Sequence, residues 1–169
     1  MTRALAVLIL LASPAAAQET RCSLRANLID PDPAGTNVRS GAGRDFAVVG
    51  RLPGGRTDVV EVVAASGAWV KIAGAVDEEG ESVFAGQGWV YAPLLGMTIS
   101  WNPDDPRKAG HHSLHAGPNA KARALARLAP ETAVTLEGCQ GRWARVKAEG
   151  RIGWLAPEAQ CANSKTTCS

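Results

Sequence analysis

Two short phrases constrain the fold of this chain more than any other feature. Gly88-Trp89-Val90-Tyr91-Ala92-Pro93 is answered, 65 residues later, by Gly153-Trp154-Leu155-Ala156-Pro157, which uses two of the chain's five tryptophans. The phrases close a longer internal repeat. Gly67-Ala68-Trp69-Val70-Lys71-Ile72 answers Gly141-Arg142-Trp143-Ala144-Arg145-Val146 at an offset of 74. Further back, Asn37 to Gly43 answers Ser113 to Asn119, and Val49 to Pro53 answers Ala124 to Pro130, both near an offset of 76. The leading turns correspond loosely, Asp30-Pro31-Asp32-Pro33-Ala34-Gly35 with Asn102-Pro103-Asp104-Asp105-Pro106. Self-similarity at a fixed period means one supersecondary unit written twice, so the chain is expected to fold as two copies of one small module.

The drift in offset from 76 to 65 says that the copies differ mainly in loop length. Its largest step lies between Trp69 and Trp89, where an acidic, glycine-bearing stretch with Asp77, Glu78, Glu79 and Glu81 replaces a compact turn. Insertions are tolerated at hairpin tips, so this stretch is expected to be a solvated tip; its carboxylates lack the order of a calcium loop. Between the glycines and prolines lie short apolar runs, several alternating with period two, the pattern of half-buried strands. Each copy holds about five of them, and the fold class expected is all-β. Only Gly96 to Thr98 or so separates the copies, a joint short enough to restrict their orientation.

Residues 1–17, MTRALAVLILLASPAAA, carry one arginine, an apolar run too short to span a membrane, and a small-residue cleavage pattern, and read as a cleaved export signal. Without Arg3 the 18 Lys plus Arg become 17, against 16 Asp plus Glu, a net charge of +1 with no long run of either sign. Nothing in that balance points to nucleic acid or to membrane insertion. All four cysteines, Cys22, Cys139, Cys161 and Cys168, lie beyond the signal, and an even count in an exported chain reads as two disulfides. Three pairings are possible. Residence in one module favours Cys139 with Cys161, leaving Cys22 and Cys168 to tie the chain ends.

The words "NVRSGAG…VVGRLPGG…VVEVVAASGAWVKI…GQGWVYAPLL", and the looser second set "SLHAGPN…GRWARVKAEGRIGWLAPE", resemble the bacterial SH3-like (SH3b) domain. The resemblance implies two tandem five-stranded barrels: residues 18–97 and 98–160, followed by a Cys-containing tail at 161–169. It also implies non-catalytic binding in the envelope, periplasmic or extracellular, of wall peptide, glycan or an envelope protein. His115 stands where the family has Arg.

Alternation gives the site. If Val70, Ile72, Val90 and Leu155 point inward, then Trp69, Lys71, Trp89 and Trp154 point away from the core, with Tyr91 on the same side as Trp89. Exposed aromatics on a sheet hold sugar rings or peptides well, and Arg39 or Lys71 is available for an acidic group. The candidate ligand-binding residues are therefore Trp69, Trp89, Tyr91, Arg39 and Lys71, with Trp143 and Trp154 in the second copy. The alternative is that these rings cover the open end of a barrel or pack between the modules. His111, His112 and His115 cluster in sequence, but adjacency sends the first two to opposite faces, and no metal or other cofactor is expected. With the cysteines paired and no carboxylate pair to place across a cleft, no catalytic residue is expected.

Overall fold

The computed structural model describes residues 18–107 and 109–162; the expected export signal and Cys168 lie outside them. Thirteen strands form one sheet. In chain order they are β1 (Thr20–Leu28), β2 (Thr36–Arg39), β3 (Val48–Leu52), β4 (Val59–Ser66), β5 (Trp69–Val76), β6 (Ser82–Tyr91), β7 (Leu95–Ile99), β8 (His112–His115), β9 (Ala124–Leu128), β10 (Ala133–Gln140), β11 (Trp143–Ala148), β12 (Arg151–Leu155) and β13 (Gln160–Cys161). The only helical elements among the described residues are 3-10 turns at Ala92–Leu94 and Pro157–Ala159. Each copy contributes five strands, β2 to β6 and β8 to β12, with the apolar alternation on the inner face: Val60, Val62, Val70, Ile72 and Val90 in one, Leu136, Ala144, Val146 and Leu155 in the other.

The ladder runs β3-β2-β6-β5-β4-β1-β7-β10-β11-β12-β8-β9, an open path with β3 and β9 at its edges and β13 on β7. The expected joint at Gly96 to Thr98 is a strand of this ladder. β7 pairs with β1 through Leu95 and Gly96, with β10 through Gly96, Met97 and Thr98, and with β13 through Thr98 and Ile99. Leu95, Met97 and Ile99 are fully or almost fully buried, so the strand that links the copies is also core to both. Gly96 permits the crossing: a Cβ there would lie 2.8 Å from the carbonyl oxygen of Val134. β1 lies along β4 and pairs with β7, as β7 lies along β10 and pairs with β13, and it completes the seam. One hydrophobic cluster spans both copies through Ala26, Leu95, Met97, Ile99 and Val134.

The seam also carries a covalent link that corrects the expected pairing. Cys22 on β1 is bonded to Cys139 on β10, with Cα atoms 5.8 Å apart and 117 residues of chain between them. Two backbone bonds set the sulfurs side by side: Ser23 N–H to Gly141 O and Gly141 N–H to Arg21 O, both 2.8 Å. Cys161 is also disulfide-bonded, but not to Cys139. Residence in the same module is a poor guide because β1 brings the first module's edge across to the second.

The repeated phrase has a packing cause. β2 crosses β6 at Arg39 opposite Trp89, and β8 crosses β12 at His115 opposite Trp154. A Cβ on Gly88 would lie 2.3 Å from Val38 Cγ1, and one on Gly153 2.6 Å from Leu114 Cγ, so only glycine fits before each tryptophan. Each phrase ends where its proline takes one of the first two positions of a 3-10 turn, Pro93 the second and Pro157 the first, which need no backbone donor. The nine-residue difference in length is the long β5–β6 hairpin, whose tip is closed by Asp77: its carboxylate accepts from Glu81 N–H at 2.8 Å, and Arg56 lies 3.6 Å away. The shorter β11–β12 hairpin turns on Glu149 and Gly150, both at positive φ.

Candidate functional site

In the first module the outward face of β2, β6 and β5 carries two cross-strand rows. Arg39, Trp89 and Lys71 form one, and Tyr91 with Trp69 forms the next. Directly opposed residues of antiparallel strands share a face, so all five expected residues of this module stand together. Trp69 and Tyr91 meet edge to face, centroids 5.7 Å apart at 60°, and both remain half-buried. Trp89 is different. It is 7% exposed, and Lys71 Nζ lies 6.0 Å from its ring centroid while also 3.8 Å from Glu19. Of the two readings left open for Trp89, exposed or covered, the second holds: alternation sets which face a side chain leaves by, but neighbours on that face decide whether water reaches it. Lys71 is engaged as well, by Trp89 and Glu19.

Beside the Trp69–Tyr91 pair opens a cleft of about 250 Å³, lined also by Asp30, Asp32, Arg39 and Arg44. The loop before β2 forms one rim and is held internally. Asp30 accepts from Asp32 N–H at 3.1 Å and from the Thr36 hydroxyl, Asp32 accepts from Ala34 N–H at 2.8 Å, and Arg51 donates to Ala34 O and Asn37 Oδ1. The other rim is the loop after β2. There Arg39 donates to Phe46 O at 2.8 Å, and Phe46 packs on Gly41, where a Cβ would lie 2.3 Å from its ring. Arg39 therefore has a structural bond and also faces the cleft. Asp30, Asp32 and Arg44 were not singled out from the sequence; the signal for them was Asp and Arg in the two loops flanking β2, which only folding brings to one cleft.

The second module repeats the scaffold and changes the chemistry. His115 takes Arg39's place in the row with Trp154 and Arg145, and its Nδ1 meets Ala122 O at 3.1 Å, as Arg39 meets Phe46 O seven residues on. Trp143 and Trp154 are half-buried, and Trp143 meets His115 edge to face at 5.6 Å, since Ala156 stands where Tyr91 would be its partner. Asn102 keeps the turn of Asp30, accepting from Asp104 N–H at 3.1 Å, without its charge.

The histidines separate rather than gather. His112 is buried with Nε2 3.3 Å from Ser100 Oγ, whose hydroxyl donates to Glu158 O; burial lowers its pKa from the ordinary imidazole value. His111 lies 3.7 Å from the buried carboxylate of Asp105. That carboxylate would be raised by its burial, but donation from the backbone of His111 and Arg107 and from the Arg127 side chain outweighs this and holds it well below the usual carboxylate range. No group of three metal-ligating side chains forms among the described residues.

Residues 34–96 and 112–159, together well over half of the 169 residues, match the family model of the bacterial SH3 domain. No curated protein matches the chain. Among solved structures it is similar to NlpC2 from Trichomonas vaginalis, at 12% identity and TM-score 0.33 over 82% of this chain and 47% of that one. It is also similar to NlpC1 from the same organism, at 13% identity and TM-score 0.32 over 92% of this chain and 50% of that one. The chain spans about half the length of each. The two matched segments coincide with the two sets of five strands, β2 to β6 and β8 to β12. This chain belongs to the bacterial SH3 domain family.

Proposed function

We propose that this chain is an exported, non-catalytic binding or adaptor protein of the bacterial envelope, two tandem SH3-like five-stranded barrels preceded by a signal at residues 1–17. Its first module holds a wall peptide or glycan, or an envelope protein, against Trp69 and Tyr91. The observation that carries this reading is the half-exposed Trp69–Tyr91 pair at the mouth of a cleft of about 250 Å³. Two rigid rings offer large apolar area at little entropic cost, and the indole N–H and phenol hydroxyl orient what lies on them. A disulfide between Cys22 and Cys139 suits an oxidising compartment, periplasmic or extracellular. The non-catalytic assignment is supported by the fate of the reactive groups: Cys22, Cys139 and Cys161 are bonded, and the hydroxyl of Ser100 beside His112 is buried and donated to a carbonyl.

The test is binding of the purified protein to sacculi, wild type against Trp69→Ala and Tyr91→Ala. A central aromatic contact removed from an interface costs about 2 kcal/mol or more, so retention should weaken at least about tenfold. Unchanged retention in both variants removes the reading. A second reading, a structural or regulatory partner of another envelope protein, is favoured by the burial of Trp89 at 7% exposure. Acrylamide quenching of Trp69 separates the two: a partner-free protein in which Trp69 is as shielded as Trp89 supports the second.

A further inference from the structure

The cleft carries charges of both signs that do not pair with one another. Asp30 and Asp32 precede β2, Arg39 and Arg44 lie at or beyond its end, and all four line one space of about 250 Å³. Yet no ion pair joins either carboxylate to either guanidinium. The reason is the strand between them: at about 3.3 Å per residue, Thr36 to Arg39 spans about 10 Å. Both oxygens of Asp30 are engaged, but Asp32 Oδ2 and the whole guanidinium of Arg44 have no partner among the described residues. Between the two ends stands the aromatic pair. Of this set the second module keeps only the carboxylate at Asp104 and the ring of Trp143 in place of Trp69: Asn102, His115, Ala120 and Ala156 stand in place of Asp30, Arg39, Arg44 and Tyr91.

We propose that this cleft selects a zwitterion, a short peptide with free ends, whose ammonium group sits at Asp32 and whose carboxylate sits at Arg44, with its body against Trp69 and Tyr91. About three extended residues, at 3.3 to 3.6 Å each, match the about 10 Å span of β2 that lies between the two loops. A neutral glycan leaves both charges unmatched. This inference rests on the reading of the Trp69–Tyr91 face as a binding face and names the ligand class for it.

Tri-alanine with free ends is the probe, compared with its N-acetylated form, its C-amidated form and neutral chitotriose, and binding is read from the Trp69 indole N–H resonance, assigned through Trp69→Phe. Removing either charge-assisted hydrogen bond should weaken binding about tenfold, so acetylation and amidation each carry that penalty and chitotriose does not compete. Asp32→Asn keeps the oxygen that accepts from Ala34, so the loop survives, and it should erase the acetylation penalty alone. Arg44→Gln alters an exposed side chain without a partner and should erase the amidation penalty alone. Equal binding of free and capped peptides, or penalties that survive both variants, overturns the inference. So does a silent Trp69 resonance with every tri-alanine form; if Trp69→Ala still releases the protein from sacculi, the binding face then stands without its zwitterion. Charge-selective tri-alanine binding with sacculus retention indifferent to Trp69 keeps the inference and retires the wall ligand.

Discussion

Replacing Cys22 and Cys139 together by alanine should cost most of a domain's stability while leaving the folded structure in place. The bond closes a loop of 117 residues, and the chain-entropy relation gives such a loop about 5 kcal/mol at 25 °C. A bond from Cys139 to Cys161 would close only 22 residues and give about 3.5 kcal/mol. The effect belongs to the unfolded chain, because the strand contact does not depend on the sulfurs. Ser23 and Gly141 remain bonded through their backbones, and β1 is still held along β4 and β7. Urea unfolding followed by tryptophan fluorescence measures it. With a urea slope of about 2 kcal/mol/M, the midpoint should fall by about 2 M or more, and the slope should rise as the freed chain expands. A loss under about 1 kcal/mol with an unchanged slope refutes the argument, as does a non-reducing peptide map that places Cys22 on any partner but Cys139.

The two modules should unfold together, as one transition by fluorescence and by circular dichroism, because β7 is core to both and no exposed linker separates them; two resolved transitions would contradict this. Gly88→Ala should destabilise by about 2 kcal/mol or more in the same urea assay, since its Cβ meets buried Val38 and, at 3.0 Å, the carbonyl of Arg39; a neutral result means that β2 can retreat. Stability should fall with acid in two stages. His112 is held below its ordinary pKa, so the folded state resists its protonation and stability declines as pH drops below about 6.5. Asp105 is likewise held low, so its contribution is complete above about pH 4 and is lost as pH falls further. Urea midpoints from pH 8 to pH 2 test both, and Asp105→Asn should lower stability at pH 7 and flatten the loss below pH 4.

Much of the strand pattern was legible because it is local. The repeat's matched tryptophans Trp69 and Trp143 open β5 and β11, and the alternation that sends Val70 and Ile72 inward also puts Trp69 and Lys71 on the other face. β1 escaped because Thr20–Leu28 shares no words with β7, which holds the same place beside β10 that β1 holds beside β4, and β7 escaped because a short apolar run without turn residues looks the same as a connector. Trp89 was legible in direction but not in exposure, which Lys71 and Arg39 decide from neighbouring strands.

By itself the sequence determined two all-β copies of one module, a glycine before each repeated tryptophan, and an aromatic face on the first copy, since period-two patterning and close-packed glycines are properties of a few consecutive residues. Only the tertiary structure decided that both copies share a sheet, that Cys22 meets Cys139 across 117 residues, and that Asp32 and Arg44 flank one cleft. Those contacts depend on which strand lies beside which, and that choice is made by burying β7 on both sides, a requirement of the whole chain rather than of any segment of it.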